Sequence, residues 1–518
     1  MNMSSGVQKI ASDFIENDLL FVSFDNALYW SYCLVRTKQV MKFLLLLVLF
    51  AHTVSAFDCP QKNSVVLPQF FQGSGKFPPD GNSTAYTNTT RCYWVIPRVN
   101  GSYAEVTILT PPNKEANIST RLSKLERAFS YDSQTWMGYA SPDDIQIKFS
   151  PSCSGDFQFS WLYKPIPYSN NPDRVTLTRG SHGTVVPLYK ESKSIVFTSA
   201  EDVGFQAACN PEVSMYYMWY GFIFLGEGIN GRYLGSYYYL ATDNTWIQEA
   251  VNNRLILTLV TIPQSTDVDY GVLLIKTYKD IQNIALYSLR YAPRNTTADL
   301  QIVNANLFPS VVQYYGGAVP NSNFYLTSLV TLTGTLDWQA GDYLRNGTVL
   351  ETFGVSRPIY LPQQLPGRLN TLVIRTDQFH NETVRIQVSG RVPDSYSNVP
   401  GGAYGVYSSG NYPFSSLPKD NTLSLSTAQS SQMTVSVADG ADNNSAVVVK
   451  VTNSGNQQTY RLTSGNQQTI SGTQFSFSYD SGSNTMSPGA YATFSFNSAK
   501  SLELLVAVIV QLVLFFKL

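Results

Sequence analysis

Histidine is the scarcest chemical resource in this sequence, with three in 518 residues. Downstream of residue 56 only His182 and His380 remain. A Ser–His–Asp hydrolase would have to recruit one of them to shuttle the proton between nucleophile and leaving group. His182 sits in Gly180-Ser181-His182-Gly183, a predicted turn between strands, and His380 in a predicted hairpin loop. No Gly-x-Ser-x-Gly elbow precedes a helix. No His-Glu-x-x-His, Walker loop or dinucleotide fingerprint occurs either. Both histidines read as ordinary loop residues, so a chain that is not an enzyme and carries no cofactor is expected. Paired carboxylates on strands can cleave glycosides without histidine, which keeps a secreted hydrolase as the alternative, although no pair stands out. Calcium would need six to eight converging oxygens. Only Asp132 and the Asp143-Asp144 pair are placed to contribute, and they read better as turn residues.

Cysteine carries the next signal. Cys33 stands apart upstream, and Cys59, Cys92, Cys153 and Cys209 follow. An even number in a secreted chain reads as two disulfides with three possible connectivities, and the spacings match no zinc pattern. The nearest-neighbour pairs Cys59–Cys92 and Cys153–Cys209 are expected.

The compartment that this reading needs is announced at residues 41–56, MKFLLLLVLFAHTVSA. Lys42 precedes an apolar core from Phe43 to Phe50, and Val54-Ser55-Ala56 supplies small residues for signal peptidase. The core is too short to span a bilayer, which takes roughly 20 apolar residues. Phe57 is therefore the expected mature N-terminus, and residues 1–40 read as an upstream extension ahead of a second start at Met41. At the far end, residues 504–516 form a short apolar tail after Asn497-Ser498-Ala499. This pattern predicts a removable tail over 498–518 and a glycosylphosphatidylinositol anchor on Asn497, with a spacer shorter than usual. Eight Asn-x-Ser/Thr triplets lie between: Asn82, Asn88, Asn100, Asn117, Asn295, Asn346, Asn381 and Asn443. All are chemically permissible acceptors. Four within residues 82–117 mark that stretch as a solvated surface.

Charged residues make up 14% of the chain and the net charge is −1, against roughly 25% charged in an average soluble protein. No Lys/Arg run follows the leader, so phosphate neutralisation and nucleic-acid binding are not expected. Residues 57–497 are too many for one ordinary core. They read as tandem antiparallel β-sandwich domains, an all-β chain. Period-two runs such as Tyr103 to Ile108 and Ile145 to Phe149 are half-buried strands between Gly/Pro/Asn punctuation. Between residues 57 and 163 only 120–129 could be a short helix. A second β-domain is expected over 172–293. Within it, residues 215–225 (MYYMWYGFIFL) and 233–241 (YLGSYYYLA) read as an aromatic hairpin, through cross-strand packing or as an exposed binding platform. A third spans 295–392, with residues 371–376 and 383–389 as a second hairpin, and it loosely mirrors the end of the second. Residues 393–421, rich in Pro, Gly, Tyr and Ser, read as a linker. A C-terminal β-rich region covers 422–497, where SGNQQT occurs at 454–459 and again at 464–469.

Within residues 57–165 the order Tyr86-x5-Cys92-x-Trp94-x-Ile96 is followed by Gly101 and the strand from Tyr103. The segment closes on Ile145-x-Ile147-x-Phe149-Ser150, then Gly155-Asp156-Phe157 and Tyr163. This segment resembles a CUB domain, a two-sheet antiparallel sandwich, and is similar to the CUB-like domains of secreted nematode proteins. It lacks a clear second internal cysteine pair and a clear acidic calcium cluster. Trp94 is expected in the core, beside the disulfide. The resemblance implies a non-enzymatic cell-surface glycoprotein that binds protein or glycan ligands, with a role in responses to microbes at an epithelial surface. The membrane partner would be reached through the lipid anchor, and a passive coat or matrix protein is a further alternative.

Overall fold

The computed structural model describes residues between Ser74 and Asn497, namely the strands given below, residues 97–101 and 142–144, and most loops from residue 155 onward. Residues 1–73 and 498–518 lie outside it, and with them the leader, the extension and the C-terminal tail. The described chain is all-β, built as successive two-sheet sandwiches followed by a module with one sheet.

In the first sandwich the strands are β1 (Ser74–Phe77), β2 (Thr84–Tyr86), β3 (Cys92–Ile96), β4 (Ser102–Leu109), β5 (Ala116–Thr120), β6 (Arg127–Phe129), β7 (Met137–Ser141), β8 (Ile145–Phe149) and β9 (Gly155–Pro165). One sheet has the order β1-β9-β4-β7, with β2 also on β9, and the other is β3-β8-β5-β6. Alternation along β3 turns Cys92, Trp94 and Ile96 inward, at 5%, 2% and 0% exposure. The Trp94 ring lies 4.8 Å from Phe77 and 5.3 Å from Phe159. It is a core residue. Arg127–Phe129 pairs with β5 as a strand, which corrects the helix expected over 120–129.

The second sandwich contains β10 (Asp173–Leu177), β11 (Thr184–Leu188), β12 (Lys193–Ser199), β13 (Val203–Cys209), β14 (Gly221–Leu225), β15 (Arg232–Ser236), β16 (Trp246–Gln248), β17 (Leu255–Thr261) and β18 (Gly271–Thr277). Its sheets are β10-β12-β17-β14-β15 and β11-β18-β13-β16. The third contains β19 (Leu286–Tyr291), β20 (Thr297–Asn304), β21 (Ser310–Tyr315), β22 (Phe324–Val330), β23 (Thr335–Ala340), β24 (Val349–Gly354), β25 (Gln363–Leu365), β26 (Leu369–Arg375) and β27 (Glu382–Ser389). Its sheets are β19-β21-β26-β23-β24 and β20-β27-β22-β25.

Written in chain order, the second and third sandwiches have one topology, strand for strand. Details repeat as well. The first pair of each five-stranded sheet, β10/β12 and β19/β21, is parallel. The last pair slips register once, at Ile223/Phe224 and at Trp338/Gln339. Two residues past each slip stands a glycine with positive φ, Gly226 at 104° and Gly341 at 77°, where a side chain would strain the backbone. Gly226 N donates to Ile256 O at 2.8 Å and Thr258 Oγ1 donates to Gly226 O at 2.8 Å. Gly341 N donates to Leu369 O at 2.8 Å and Thr371 Oγ1 to Gly341 O at 2.6 Å. The first sandwich follows the same plan: β3-β8-β5-β6 matches β12-β17-β14-β15, and β9-β4-β7 matches β18-β13-β16.

This topology corrects two expected hairpins. Strands β26 and β27 belong to opposite sheets, so residues 371–376 and 383–389 are joined by a crossing of the sandwich. The aromatic hairpin is real only in its centre, where β14 pairs with β15. Met215–Tyr220 is a 3-10 turn, and Tyr237–Asp243 is a short helix, α1. Those turns clamp Trp219 on Tyr238 (4.0 Å, stacked) and Tyr239 (4.9 Å, edge-on). Gly221 makes room, since a Cβ there would stand 2.6 Å from the Tyr237 ring.

The last module is one six-stranded sheet, β28 (Tyr404–Ser408), β29 (Leu423–Asp439), β30 (Ala446–Asn453), β31 (Asn456–Leu462), β32 (Gln467–Asp480) and β33 (Tyr491–Phe496), in the order β28-β33-β29-β32-β30-β31. Over residues 393–413 the stretch 393–421 is no linker. It supplies β28 and buries Tyr396, Val399, Ala403, Tyr407 and Tyr412, because its aromatic residues cover apolar surface that its glycines leave accessible.

Candidate functional site

Each sandwich docks on the next through the same pair of sheets. Strand alternation turns Tyr103 and Glu105 of β4 away from their own core, where Ala104, Val106 and Ile108 sit. Tyr103 is 3% exposed and lies 5.5 Å from Phe222 and 6.4 Å from Tyr220 of the second sandwich. Burial, with Glu105 beside it, pushes the Tyr103 phenol well above its ordinary pKa. Arg98 Nη2 donates to Gly231 O at 3.3 Å across the same seam.

At the next seam the equivalent strands β13 and β18 face β19, β21 and β26. Ala208, Val272 and Leu274 share one buried cluster with Tyr287, Leu289, Val311, Tyr315 and Val373. In the middle of this apolar surface alternation places Lys276, a residue that water would normally hold. Its Nζ donates to Asp342 Oδ2 at 2.6 Å and to Tyr343 O at 2.5 Å, with both charged side chains 2% exposed. Asp342 is aimed inward by the bend at Gly341. Its Oδ2 also accepts Gly183 N at 2.7 Å, and its Oδ1 accepts Gln313 Nε2 at 2.7 Å and Tyr287 OH at 3.3 Å. Gln206 Nε2 ties β13 to Tyr287 O at 2.6 Å. Burying two ions costs several kcal/mol each unless the remaining donors and acceptors are met. Here the carboxylate accepts bonds from both sandwiches. Burial first, then Asp342, holds the Tyr287 phenol well above its usual range, so it stays a donor.

His182 lies at the exposed rim of this seam. Partial desolvation lowers its pKa, Lys276 lowers it further, and Asp342 opposes both. The histidine read as a turn residue is thus beside the one buried ion pair among the described residues, while His380 and Asp132 lie outside them. Asp144 Oδ1 accepts Arg98 N at 2.8 Å and Asp143 N bonds Ser141 Oγ at 3.1 Å, the work of turn residues. Among the described residues no group of three or more His, Cys, Asp or Glu could hold a metal ion.

Of the two readings of the aromatic run, packing inside the fold or an exposed platform, the described residues fit the first. Met218, Trp219, Tyr237 and Tyr238 are at most 5% exposed, and Tyr217 alone reaches 41%. An exposed aromatic face is therefore not what these residues build. Cys92 is disulfide-bonded, with its partner outside the described residues. Cys209 carries a free thiol, which corrects the expected Cys153–Cys209 bond: Cys209 ends β13 half-buried, with Sγ toward Asn210 O and Tyr270 O. Asn100, Asn346 and Asn497 are exposed, and Asn117 lies in β5. Cys59, Cys153, Asn82, Asn88, Asn295, Asn381 and Asn443 lie outside the described residues. Lys276, Asp342 and Gln313 escaped sequence reading. The available signals were a single lysine inside the apolar run Gly271 to Thr277 and the Gly-acid pair after a strand, which occurs twice, as Gly226-Glu227 and Gly341-Asp342.

No family model matches the chain, and no curated protein matches it. A CUB domain is among its weak structural neighbours. The chain is similar to the CUB1-EGF-CUB2 domain of human MASP-1/3 at 10% identity and a TM-score of 0.15, over 39% of this chain and 100% of that one. It is similar at 10% identity and a TM-score of 0.16 to the triple jelly roll structure from an archaeal virus, over 61% of this chain and 86% of that one. The sandwich architecture itself rests on the strand pairing above, not on likenesses of this strength.

Proposed function

We propose that this chain is a non-enzymatic binding protein of the extracytoplasmic surface, an array of three CUB-like sandwiches closed by a fourth β-module. The observation that carries the reading is the repeated seam: one sandwich plan, used three times, docked each time through a buried interface. Such an array holds loops and sheet edges in constant register, which suits multi-point contact with a protein or glycan ligand and lowers the ordering cost of binding. The Tyr86/Cys92/Trp94/Ile96 pattern, with its tryptophan in the core, supports the CUB-like assignment and with it a defence role at an epithelial face. The leader at 41–56 and the tail at 498–518 support display through a lipid anchor on Asn497, with sequons glycosylated on the way.

The test is to produce residues 57–497 from secreting cells and probe glycan arrays and intact bacterial surfaces. Selective, saturable retention is the expected result; uniform or absent binding on both would leave a passive coat protein. Hydrolysis of a glycan panel, abolished by one carboxylate substitution, would return the chain to the enzymes. Release of the full-length protein from cells by phosphatidylinositol-specific phospholipase C tests the anchor.

A further inference from the structure

Equivalent sheets dock twice in this chain, in two different positions. At the second seam β13 meets the edge strand β19: Gln206 Nε2 donates to Tyr287 O, and Ala208 shares a buried cluster with Tyr287 and Leu289. At the first seam its counterpart β4 meets β14 instead, where Tyr103 packs on Phe222. In the third sandwich the counterpart of β14 is β23, three strands from β19 and so about 14 Å along the sheet. Residues 166–172 join the first two sandwiches and residues 278–285 the next two, so connections of similar length serve both positions. Apolar contact is non-directional, and these faces do not choose a position by themselves.

Charge separates the two seams. At the first, each sandwich pairs its own ions: Lys164 Nζ with Glu105 Oε2 at 2.8 Å, and Arg174 Nη2 with Glu227 Oε1 at 2.5 Å. Glu227 follows Gly226 as Asp342 follows Gly341, and Lys164 lies in β9, the counterpart of β18. Neither of these ion pairs crosses the seam. At the second seam the pair is split: Lys276 comes from one sandwich and Asp342 from the other, both buried. A slip of one strand, about 4.8 Å, would carry Lys276 Nζ off Asp342 Oδ2 and Tyr343 O together and strand two charges in apolar surface, a strongly destabilising state. The approach is also closely shaped. A Cβ on Gly183, whose N bonds the same carboxylate, would stand 3.1 Å from Asp342 Oδ2 and 2.9 Å from Ile275 O.

We infer that the Lys276–Asp342 pair is a locator: among the docking positions open to the apolar faces, it selects the one that the second and third sandwiches adopt. It acts by excluding the alternatives. That role is separate from net stability, because a buried ion pair is often matched in stability by apolar residues of similar volume.

The test reads position and stability independently in the full-length chain. In a C209A background, spin labels on E212C in the second sandwich and R385C in the third, both exposed positions, report the distance between them by double electron–electron resonance. C209A without the two new cysteines gives the background signal. The parent should show one narrow distance. K276M/D342L should keep a urea midpoint near the parent's yet show a second distance, displaced by up to about 14 Å. D342N, which keeps the side-chain shape and removes the charge, should show the second distance as well. L274A trims a buried apolar contact of the same seam and leaves the pair intact; it should lower the midpoint while keeping one distance. A single parent-like distance in K276M/D342L or in D342N would overturn the inference, and so would a second distance in L274A.

Discussion

Lys276 and Asp342, 66 residues apart, meet at 2.6 Å across the seam between the second and third sandwiches, each 2% exposed. Removing either partner strands the other charge in an apolar interface. K276M or D342N should therefore destabilise the protein by about 3–5 kcal/mol, read as a fall in the urea midpoint. The double variant K276M/D342L restores apolar packing and should recover most of that loss. A double variant as unstable as the singles would mean that the bonds to Gly183, Gln313 and Tyr287, more than the ion pair, hold the seam.

The same seam gives a pH dependence of known sign. His182 has its pKa lowered in the folded chain, by desolvation first and then by Lys276. Above its unfolded value of about 6.5 the histidine is neutral in both states and costs nothing. As pH falls through that value, the unfolded chain takes up the proton first and stability declines, levelling only below the folded pKa. Because His182 is exposed, solvent screens the effect and the slope is shallow. H182Q should flatten the urea midpoint between pH 7.5 and 5 relative to the parent; an unchanged slope would assign the acid sensitivity to other groups.

Cys209 and Cys92 should behave oppositely. Burial pushes the Cys209 thiol up to about 11, so little thiolate exists at neutral pH. Native alkylation should be slow, denatured alkylation fast, and C209A should leave the melting midpoint almost unchanged. C92S removes a disulfide and should cost about 2–5 kcal/mol. Rapid native labelling of Cys209, followed by peptide mass spectrometry, would contradict the first half.

Trp338 is 0% exposed, with Nε1 donating to Asn370 Oδ1 at 2.9 Å. W338A should cost about 3–5 kcal/mol through the cavity alone, with the unpaired Asn370 adding to it. W338F, which keeps the ring but not the donor, should fall between the parent and W338A in the same denaturation measurement.

Limited proteolysis separates composition from structure in residues 394–412. This Gly/Pro/Ser-rich stretch buries Tyr396, Tyr407 and Tyr412, and Tyr404 OH donates to Glu351 Oε2 at 2.9 Å. It should resist chymotrypsin under native conditions despite its tyrosines. Early cleavage there would restore the linker reading.

Local pattern carried much of the fold. Period-two alternation is a property of the strand alone, so β3, β4 and β8, the inward Trp94 and the all-β class could be read without partners. Pattern could not say which sheet a strand joins, because β26 and β27 alternate alike on opposite sides of one sandwich. It also extended the aromatic hairpin over residues 215–220 and 237–241, which instead form helical turns with Trp219 stacked on Tyr238. Composition misled at 393–421: glycine and proline describe backbone freedom, while tertiary burial of the tyrosines decides whether that freedom is used. The lock was least legible. Lys276 looks like one exposed lysine in an apolar strand until a second sandwich, a left-handed turn at Gly341 and Asp342 converge on it. Sequence by itself determined the strands, their inward faces and the motifs that bear on compartment. Tertiary structure alone decided that three sandwiches repeat one plan and dock by equivalent faces, since docking depends on residues far apart in the chain whose alternation points them out of their own cores.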